Sequence, residues 1–243
     1  MGDLVTIVIP FYNDPYVPNA IQSALNQTYP NVEVLVVNDG STAYTELITP
    51  YLPRIRYISK PNGGTASALN EGIRHANGRY ITWLSSDDRF YPNKLERQIA
   101  FMQARQARIS YTNFDRINAA GRVTQRSVSV RFKSVVGFYQ HFLKGNPVNG
   151  CTVVAEKSLL HELGLFDEKL LYTHDNDLWL KVLLNRIDFF YLDEPLTQYR
   201  MHGSMGTYRF KPAIRQEFLR MQARHIPLLQ KVIRALKKEL GIR

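Results

Sequence analysis

Ile7-Val8-Ile9-Pro10-Phe11-Tyr12-Asn13, Val36-Val37-Asn38-Asp39-Gly40-Ser41 and Tyr80-Ile81-Thr82-Trp83-Leu84-Ser85-Ser86-Asp87-Asp88 share one pattern: an apolar run that ends on polar or acidic residues. Short apolar runs bounded by turn residues read as buried strands. In an open α/β sheet the crevice outside the carboxyl ends of the strands is where ligands bind, and carboxylates gathered there can hold a divalent ion against a diphosphate. The three stretches therefore predict a nucleotide and metal site built on a largely parallel sheet.

The rest of the first half fits that frame. Val5 to Ile9, Val32 to Val37, Arg56 to Ile58 and Tyr80 to Leu84 read as strands. Val17, Ile21, Ala24 and Leu25 share one helical face, as do Ala66, Leu69, Ile73 and Ala76, with Gly78 read as the stop of the second helix. Pro92-Asn93 opens a third helix carrying Leu95, Ile99 and Met102, which leads to a strand around Ile109 to Asn113. In the second half, Asn118-Ala119-Ala120-Gly121 reads as a hairpin turn, Val135 to Leu143 and Leu178 to Leu184 as helices, and Thr152 to Ala155 and Asp188 to Leu192 as strands. A basic helical tail runs from about Phe210, with an interruption predicted at Pro227.

Composition narrows the class. The 243 residues are 44% hydrophobic, enough for one large α/β core. No apolar run reaches the roughly 18 residues that span a bilayer, and Met1-Gly2-Asp3-Leu4 is no basic leader, so the expectation is a cytoplasmic protein, at the inner face of the membrane if its tail binds lipid. The single Cys151 excludes an internal disulfide and a cysteine metal site, leaving oxygen and imidazole as metal donors. The net charge of +10 favours an anionic partner. Basic residues crowd the tail, from Arg209 and Lys211 to Lys238 and Arg243, with few aromatic side chains for stacking bases, so no nucleic-acid partner is expected. Phe218, Met221, Leu228, Leu229, Val232, Ile233 and Leu236 form an apolar stripe suited either to a membrane surface or to the core or a second subunit.

The order of these segments resembles the family 2 glycosyltransferases, which have the GT-A fold and move a sugar from a nucleotide-sugar donor to an acceptor hydroxyl. The resemblance covers about Val5 to Ser204. It implies a GT-A, Rossmann-like mixed and mainly parallel sheet flanked by helices, with a nucleotide-binding half over residues 1–115, an acceptor-binding half over 116–207 and the helical tail over 208–243. Pro10, Phe11, Tyr12 and Asn13 would form one wall of the nucleoside pocket and Asp39 and Gly40 the other, with Asn62 and Gly63 in a loop near the base and diphosphate. Asp88 would ligate Mn2+ or Mg2+, with Asp87 at the ribose or the ion's shell. Relatives often carry an earlier aspartate where this chain has Ser85 or Ser86. Tyr199-Arg200-Met201-His202-Gly203-Ser204 matches a loop that closes over the diphosphate, which would let His202 meet the metal and Arg200 the phosphates. Asp175 in Tyr172-Thr173-His174-Asp175-Asn176-Asp177 corresponds to the second acid of a Glu-Asp motif, the base of an inverting transfer, with His174 in place of the usual Glu.

The donor implied is a nucleoside diphosphate sugar, most naturally a uridine one, and the acceptor a glycan or a lipid-linked saccharide of cell-surface polysaccharide synthesis. The chain lacks the Gln-x-x-Arg-Trp segment of processive members, which points to addition of one sugar per encounter. Two alternatives stay open at this stage. Asn-Asp-Gly-Ser alone is a good turn, and Thr173, Asp175 and Asp177 suit the opening of a helix; one alternative is a glycan- or nucleotide-sugar-binding protein that lost turnover. A sugar nucleotidyltransferase would carry a glycine-rich, arginine-containing loop after its first strand, where this chain has Pro10-Phe11-Tyr12-Asn13.

Overall fold

A computed structural model describes residues 2–242. Nine strands form one sheet in the order β3-β2-β1-β4-β8-β6-β9-β5, with β7 paired to β6. The first four strands of that order, β1 (Val5–Phe11), β2 (Val32–Asp39), β3 (Arg56–Lys60) and β4 (Tyr80–Trp83), are parallel neighbours. The apolar runs of β1, β2 and β4 are buried almost throughout, with α1 (Val17–Leu25) and α2 (Thr65–His75) packed on them. Gly72 of α2 is required by this packing, since a Cβ there would meet Val8 Cγ1 at 2.3 Å. With β1 between β2 and β4, the carboxyl ends of three strands open on one crevice.

Antiparallel pairs enter with the second half. After β5 (Arg89–Phe90) and α3 (Lys94–Ala104), β6 (Ile109–Asn118) turns through the expected hairpin into β7 (Val123–Gln125). Then come α4 (Val135–His141), β8 (Val154–Glu156), α5 (Lys157–Glu162), α6 (His174–Leu184), β9 (Phe190–Met201) and the short α7 (Gly206–Arg209). The sheet is held to α6 by aromatic rings: Trp83 at the end of β4 stacks on Trp179 with centroids 5.7 Å apart and takes Phe166 edge-on at 5.2 Å.

Several boundaries differ from the sequence reading, β6 running on to Asn118 and α6 opening at His174 among them, and three more are instructive. Helix α2 stops at His75, and Gly78 instead leads into β4, its N–H donating to Thr6 Oγ1. Strand β9 runs nine residues past Leu192, because Pro195, a residue that breaks regular strands, falls where the β6 pairing shifts register and no ladder bond is lost. Pro227 does not interrupt the tail: α8 spans Lys211–Glu239 as one helix, with the proline on its exposed side where water can serve the carbonyl left unpaired.

The apolar stripe of α8 faces the protein. Met221, Leu229 and Ile233 are buried, and Phe218, Val232 and Leu236 pack beside them, whereas Leu228 is exposed. Gln222 donates to the Leu143 carbonyl just past α4, and His225 Nε2 donates to Asp177 Oδ1 of α6 at 2.7 Å. The Lys181 ammonium lies 2.9 Å from the other Asp177 oxygen. The basic residues consequently point outward, apart from Arg243, which lies outside the described residues.

Burial opposes the charge on Asp177, yet the hydrogen bond from His225 and the Lys181 ammonium hold its carboxyl below the ordinary value. A group depressed in this way stabilises the fold at neutral pH and loses that contribution as pH falls through the carboxylate range. Asp177→Asn should cost about 2 kcal/mol at pH 7, as for a hydrogen bond to a charged group, with the gap from the wild type closing in acid. Urea melts from pH 7 to pH 3 measure this; a gap that does not change with pH contradicts it.

Candidate active site

The wall expected to face the nucleoside is built from two strand ends sewn together. Asn13, at φ 47°, presents its Oδ1 to the N–H groups of Thr42 and Ala43, and its own N–H donates to Ser41 Oγ. Ser41 Oγ in turn donates to the Phe11 carbonyl. Pro10 and the buried Phe11 thus set a rigid floor, while Tyr12 stands 55% exposed above it. Asn38 beside Asp39 donates to Tyr57 Oη and accepts the Ser41 N–H.

Asp39 organises the loop expected near the base and diphosphate. Its Oδ1 accepts Lys60 Nζ at 2.8 Å and the Gly63 N–H at 2.9 Å, and its Oδ2 accepts the Gly64 N–H at 2.8 Å. Asn62 closes the same loop by donating to the Asp39 carbonyl. Gly40 is the one residue that fits between: its φ is +73°, and a Cβ would lie 2.7 Å from the Asn62 nitrogen. Asp39 is 3% exposed, with both oxygens engaged by this loop.

The acidic corner after β4 divides its two carboxylates. Asp87 is partly exposed, and its Oδ2 accepts from His202 Nε2 at 3.0 Å. Asp88 is fully buried, and its Oδ1 accepts the Arg200 N–H at 2.8 Å. Burial pushes the Asp88 carboxyl well above its ordinary value, and the neighbouring Asp87 adds to the effect. Arg200 lies in β9 rather than in a loop, which begins only at His202. Its Nε donates to the Asp87 carbonyl at 2.6 Å and its Nη1 to the carbonyls of Asn118 and Ala119. With its guanidinium 4.4 Å from the Tyr16 ring centre, Arg200 braces the corner from beneath and is 2% exposed.

Among the described residues, no group of three or more His, Cys, Asp and Glu side chains is gathered to hold a metal ion alone. Asp87 and His202 offer one carboxylate and one imidazole. Such a pair fits a divalent ion whose remaining positions are filled by phosphate oxygens and water. Asp14 completes this corner and escaped the sequence reading, although it directly follows Asn13. Its carboxylate accepts from Ser86 Oγ at 2.6 Å and from the Tyr16 N–H at 2.8 Å. Burial raises its carboxyl above the ordinary value, the Ser86 hydroxyl opposing and the Asp87 charge adding to the rise.

Asp175 stands apart from these groups in the first turn of α6. It is half-buried, its Oδ2 accepts from Asn146 Nδ2 at 3.1 Å, and its Oδ1 accepts the Asn176 N–H at 2.7 Å. Burial raises its carboxyl above the ordinary value, against the opposing effect of His174 and these hydrogen bonds. Asn146 precedes the Gly150–Thr152 turn, where Gly150 abuts the Trp83 indole. The loop before α6 also reaches the donor side, because a Cβ on Gly64 would meet Leu171 Cδ2 at 3.6 Å. No local signal marks Asn146 in the sequence, since its partner lies 29 residues away.

Comparison with known proteins places this arrangement. Residues 6–160 match the family described as Glycosyl transferase family 2. An uncharacterised glycosyltransferase of Rickettsia typhi is 42% identical over 217 residues, covering 84% of this chain and 66% of the relative; for a Rickettsia bellii relative the share of its length is 31%. The chain thus spans about two thirds or less of these rickettsial proteins. WfgD of Escherichia coli, named a UDP-Glc:alpha-D-GlcNAc-diphosphoundecaprenol beta-1,3-glucosyltransferase, is 32% identical over 88% of this chain and 83% of its own. In fold, the chain resembles the crystal structure of S. aureus TarS 1–349 in complex with UDP-GlcNAc, with a TM-score of 0.70 and 20% identity over 95% of this chain and 71% of that one. The motifs that end β1, β2 and β4, their placement at one sheet edge and these likenesses agree: the chain belongs to glycosyl transferase family 2.

Proposed function

We propose that the protein transfers a sugar from a uridine diphosphate sugar to a hydroxyl of a lipid-linked saccharide, with inversion and one sugar per encounter. The observation that carries this reading is the convergence of Asp39 with its glycine loop, and of Asp87 with His202, at the carboxyl ends of parallel β1, β2 and β4. Tyr12 supplies an exposed ring for the base. The named activity of WfgD supports the choice of donor and of a saccharide carried on a diphospholipid. TuaG of Bacillus subtilis, named a putative teichuronic acid biosynthesis glycosyltransferase and 28% identical, supports a role in surface polysaccharide synthesis.

In this mechanism Asp39 and the Lys60–Gly64 loop orient the nucleoside and diphosphate, and Lys60 brings a cation to the same rim. Asp87 and His202 would hold Mn2+ or Mg2+, which, when bound, neutralises charge on the departing diphosphate. Asp88 fixes the corner from within through the Arg200 N–H on its Oδ1, while its Oδ2, buried without a hydrogen-bond partner, is the oxygen it would have left for that ion. Asp175 takes the acceptor proton as the acceptor oxygen bonds to the anomeric carbon, and the bond from that carbon to the diphosphate oxygen breaks with its electron pair leaving on the nucleotide. A carboxyl raised by burial is a stronger base than a solvated one, and Asn146 aims it.

The outer face of α8 supports a bilayer as the place of reaction. Arg220, Arg224, Lys231, Arg234 and Lys238 recur at helical spacing, all exposed, with Pro227 and Ala223 between them. Arg224 has only a 3.9 Å approach to Asp167. A flat basic stripe without a central apolar side chain suits adsorption to anionic headgroups rather than insertion. No helix among the described residues is long and apolar enough to cross a membrane.

Replacing Asp87 or His202 with Ala should abolish the dependence of UDP binding on Mn2+ in calorimetry while leaving the melting curve nearly unchanged; metal dependence that survives both changes moves the ion elsewhere. With UDP-glucose and a GlcNAc-diphospholipid, Asp175→Asn should retain UDP affinity and lose transfer by roughly 100-fold or more, the usual worth of a general base. The wild-type rate should rise with pH through an inflection above the ordinary aspartate value, because the raised carboxyl must lose its proton to act, and full turnover by the variant removes Asp175 from the role. Vesicles containing phosphatidylglycerol should carry the protein upward in flotation and release it in high salt or when the five cations are changed to Gln. Equal recovery with purely zwitterionic vesicles contradicts the basic stripe.

A further inference from the structure

The segment before α6 is held by a residue that follows it by more than forty positions. Glu217, in the second turn of α8, accepts three backbone N–H groups and one hydroxyl on a single carboxylate. Its Oε2 takes the Leu171 N–H at 2.8 Å. Its Oε1 takes the Tyr172 and Thr173 N–H groups at 2.8 and 2.7 Å and Thr173 Oγ1 at 2.8 Å. Thr173 occupies the position before α6 where a side chain normally caps the helix, yet it makes no such cap, since its hydroxyl is turned to Glu217. The carboxylate on α8 thus takes over the ordering of the turn that Thr173 leaves uncapped. Although burial opposes the charge, these hydrogen bonds hold the Glu217 carboxyl below its ordinary value.

The geometry points to Glu217 as the positioning residue for Asp175, two residues beyond the segment it grips; this rests on the reading of Asp175 as the base. Leu171, at one end of the segment, lies against Gly64 of the donor loop, and Thr173, at the other, accepts the Asp177 N–H that closes the first turn of α6. Fixing residues 171–173 therefore sets the spacing between donor loop and base. The helix bearing Glu217 is docked independently by Gln222, by His225 with Asp177, and by the buried Met221, Leu229 and Ile233. Loss of the Glu217 carboxylate leaves α8 in place and frees only the turn. Glu217, like Asp175, lies outside the residues 6–160 that match the family.

The test is a double-mutant cycle of E217Q and D175N, following UDP release from radiolabelled UDP-glucose with and without GlcNAc-diphospholipid. The glutamine keeps the shape of Glu217 but turns an NH2 group toward backbone donors. E217Q should retain UDP affinity within about 2-fold, lower kcat and kcat/KM together by roughly 10- to 100-fold as expected for an interaction felt in the transition state, and speed hydrogen exchange at Leu171–Thr173. In the D175N background the same change should cost almost nothing, because groups acting through one another do not add. E217D, which restores a carboxylate, should recover part of the rate. Wild-type kcat in E217Q, or a loss repeated in full on top of D175N, overturns the positioning role. Wild-type turnover in D175N alone instead removes the base assignment itself, and E217Q exchange that stays slow shows that the turn does not depend on Glu217.

Discussion

The stack of Trp83 on Trp179 is the contact on which the two halves depend. Trp83 ends β4, so the next five residues carry the acidic corner; Trp179 lies one turn beyond Asp175 on α6. Both rings are buried, with Phe166 and Phe189 against them. Aromatic pairs of this kind contribute about 0.5–1.5 kcal/mol beyond the area they bury, and their flat faces allow little sliding. The strand that leads into the acidic corner and the helix that carries Asp175 are thereby tied to each other.

The carboxylates around that edge perform two kinds of work. Asp39 and Glu217 spend both oxygens on backbone N–H groups, and Asp88 one of its two, and so hold loops in place. Asp87 and Asp175 keep oxygen within reach of solvent. The division matters energetically, because hydrogen bonds to charged groups are worth about twice neutral ones and fix backbone that would otherwise sample many states. Arg200 has the matching part among the cations: its donors go to carbonyls of two turns, which keeps the Asp87 backbone still while its side chain faces outward.

Much of this was legible in the sequence, for a physical reason. Strands β1, β2 and β4 are buried on both faces, so their apolar runs are nearly unbroken and their ends are marked by polar residues. Where tertiary contacts outweighed local rules the reading fell short. Pro195 and Pro227 look like stops, but one sits at a register shift and the other on the wet side of a helix anchored by its opposite face. Which of two adjacent aspartates faces the crevice depends on how the turn after β4 meets β9, and that pairing spans more than a hundred residues. The grip of Glu217 on the 171–173 turn is likewise invisible to any local pattern, as is the use of the α8 stripe for the core rather than for lipid.

The position of Glu217 along the chain also bears on how the protein matures. Thr173 and Glu217 are 44 residues apart, and chains grow at about 5–20 residues per second, so the grip on the turn before α6 arrives roughly 2–9 seconds after that turn is made. During that interval the nascent polypeptide has β1 to β4 but not the carboxylate that holds residues 171–173. The hold on the turn before α6 thus forms after β1, β2 and β4 have left the ribosome.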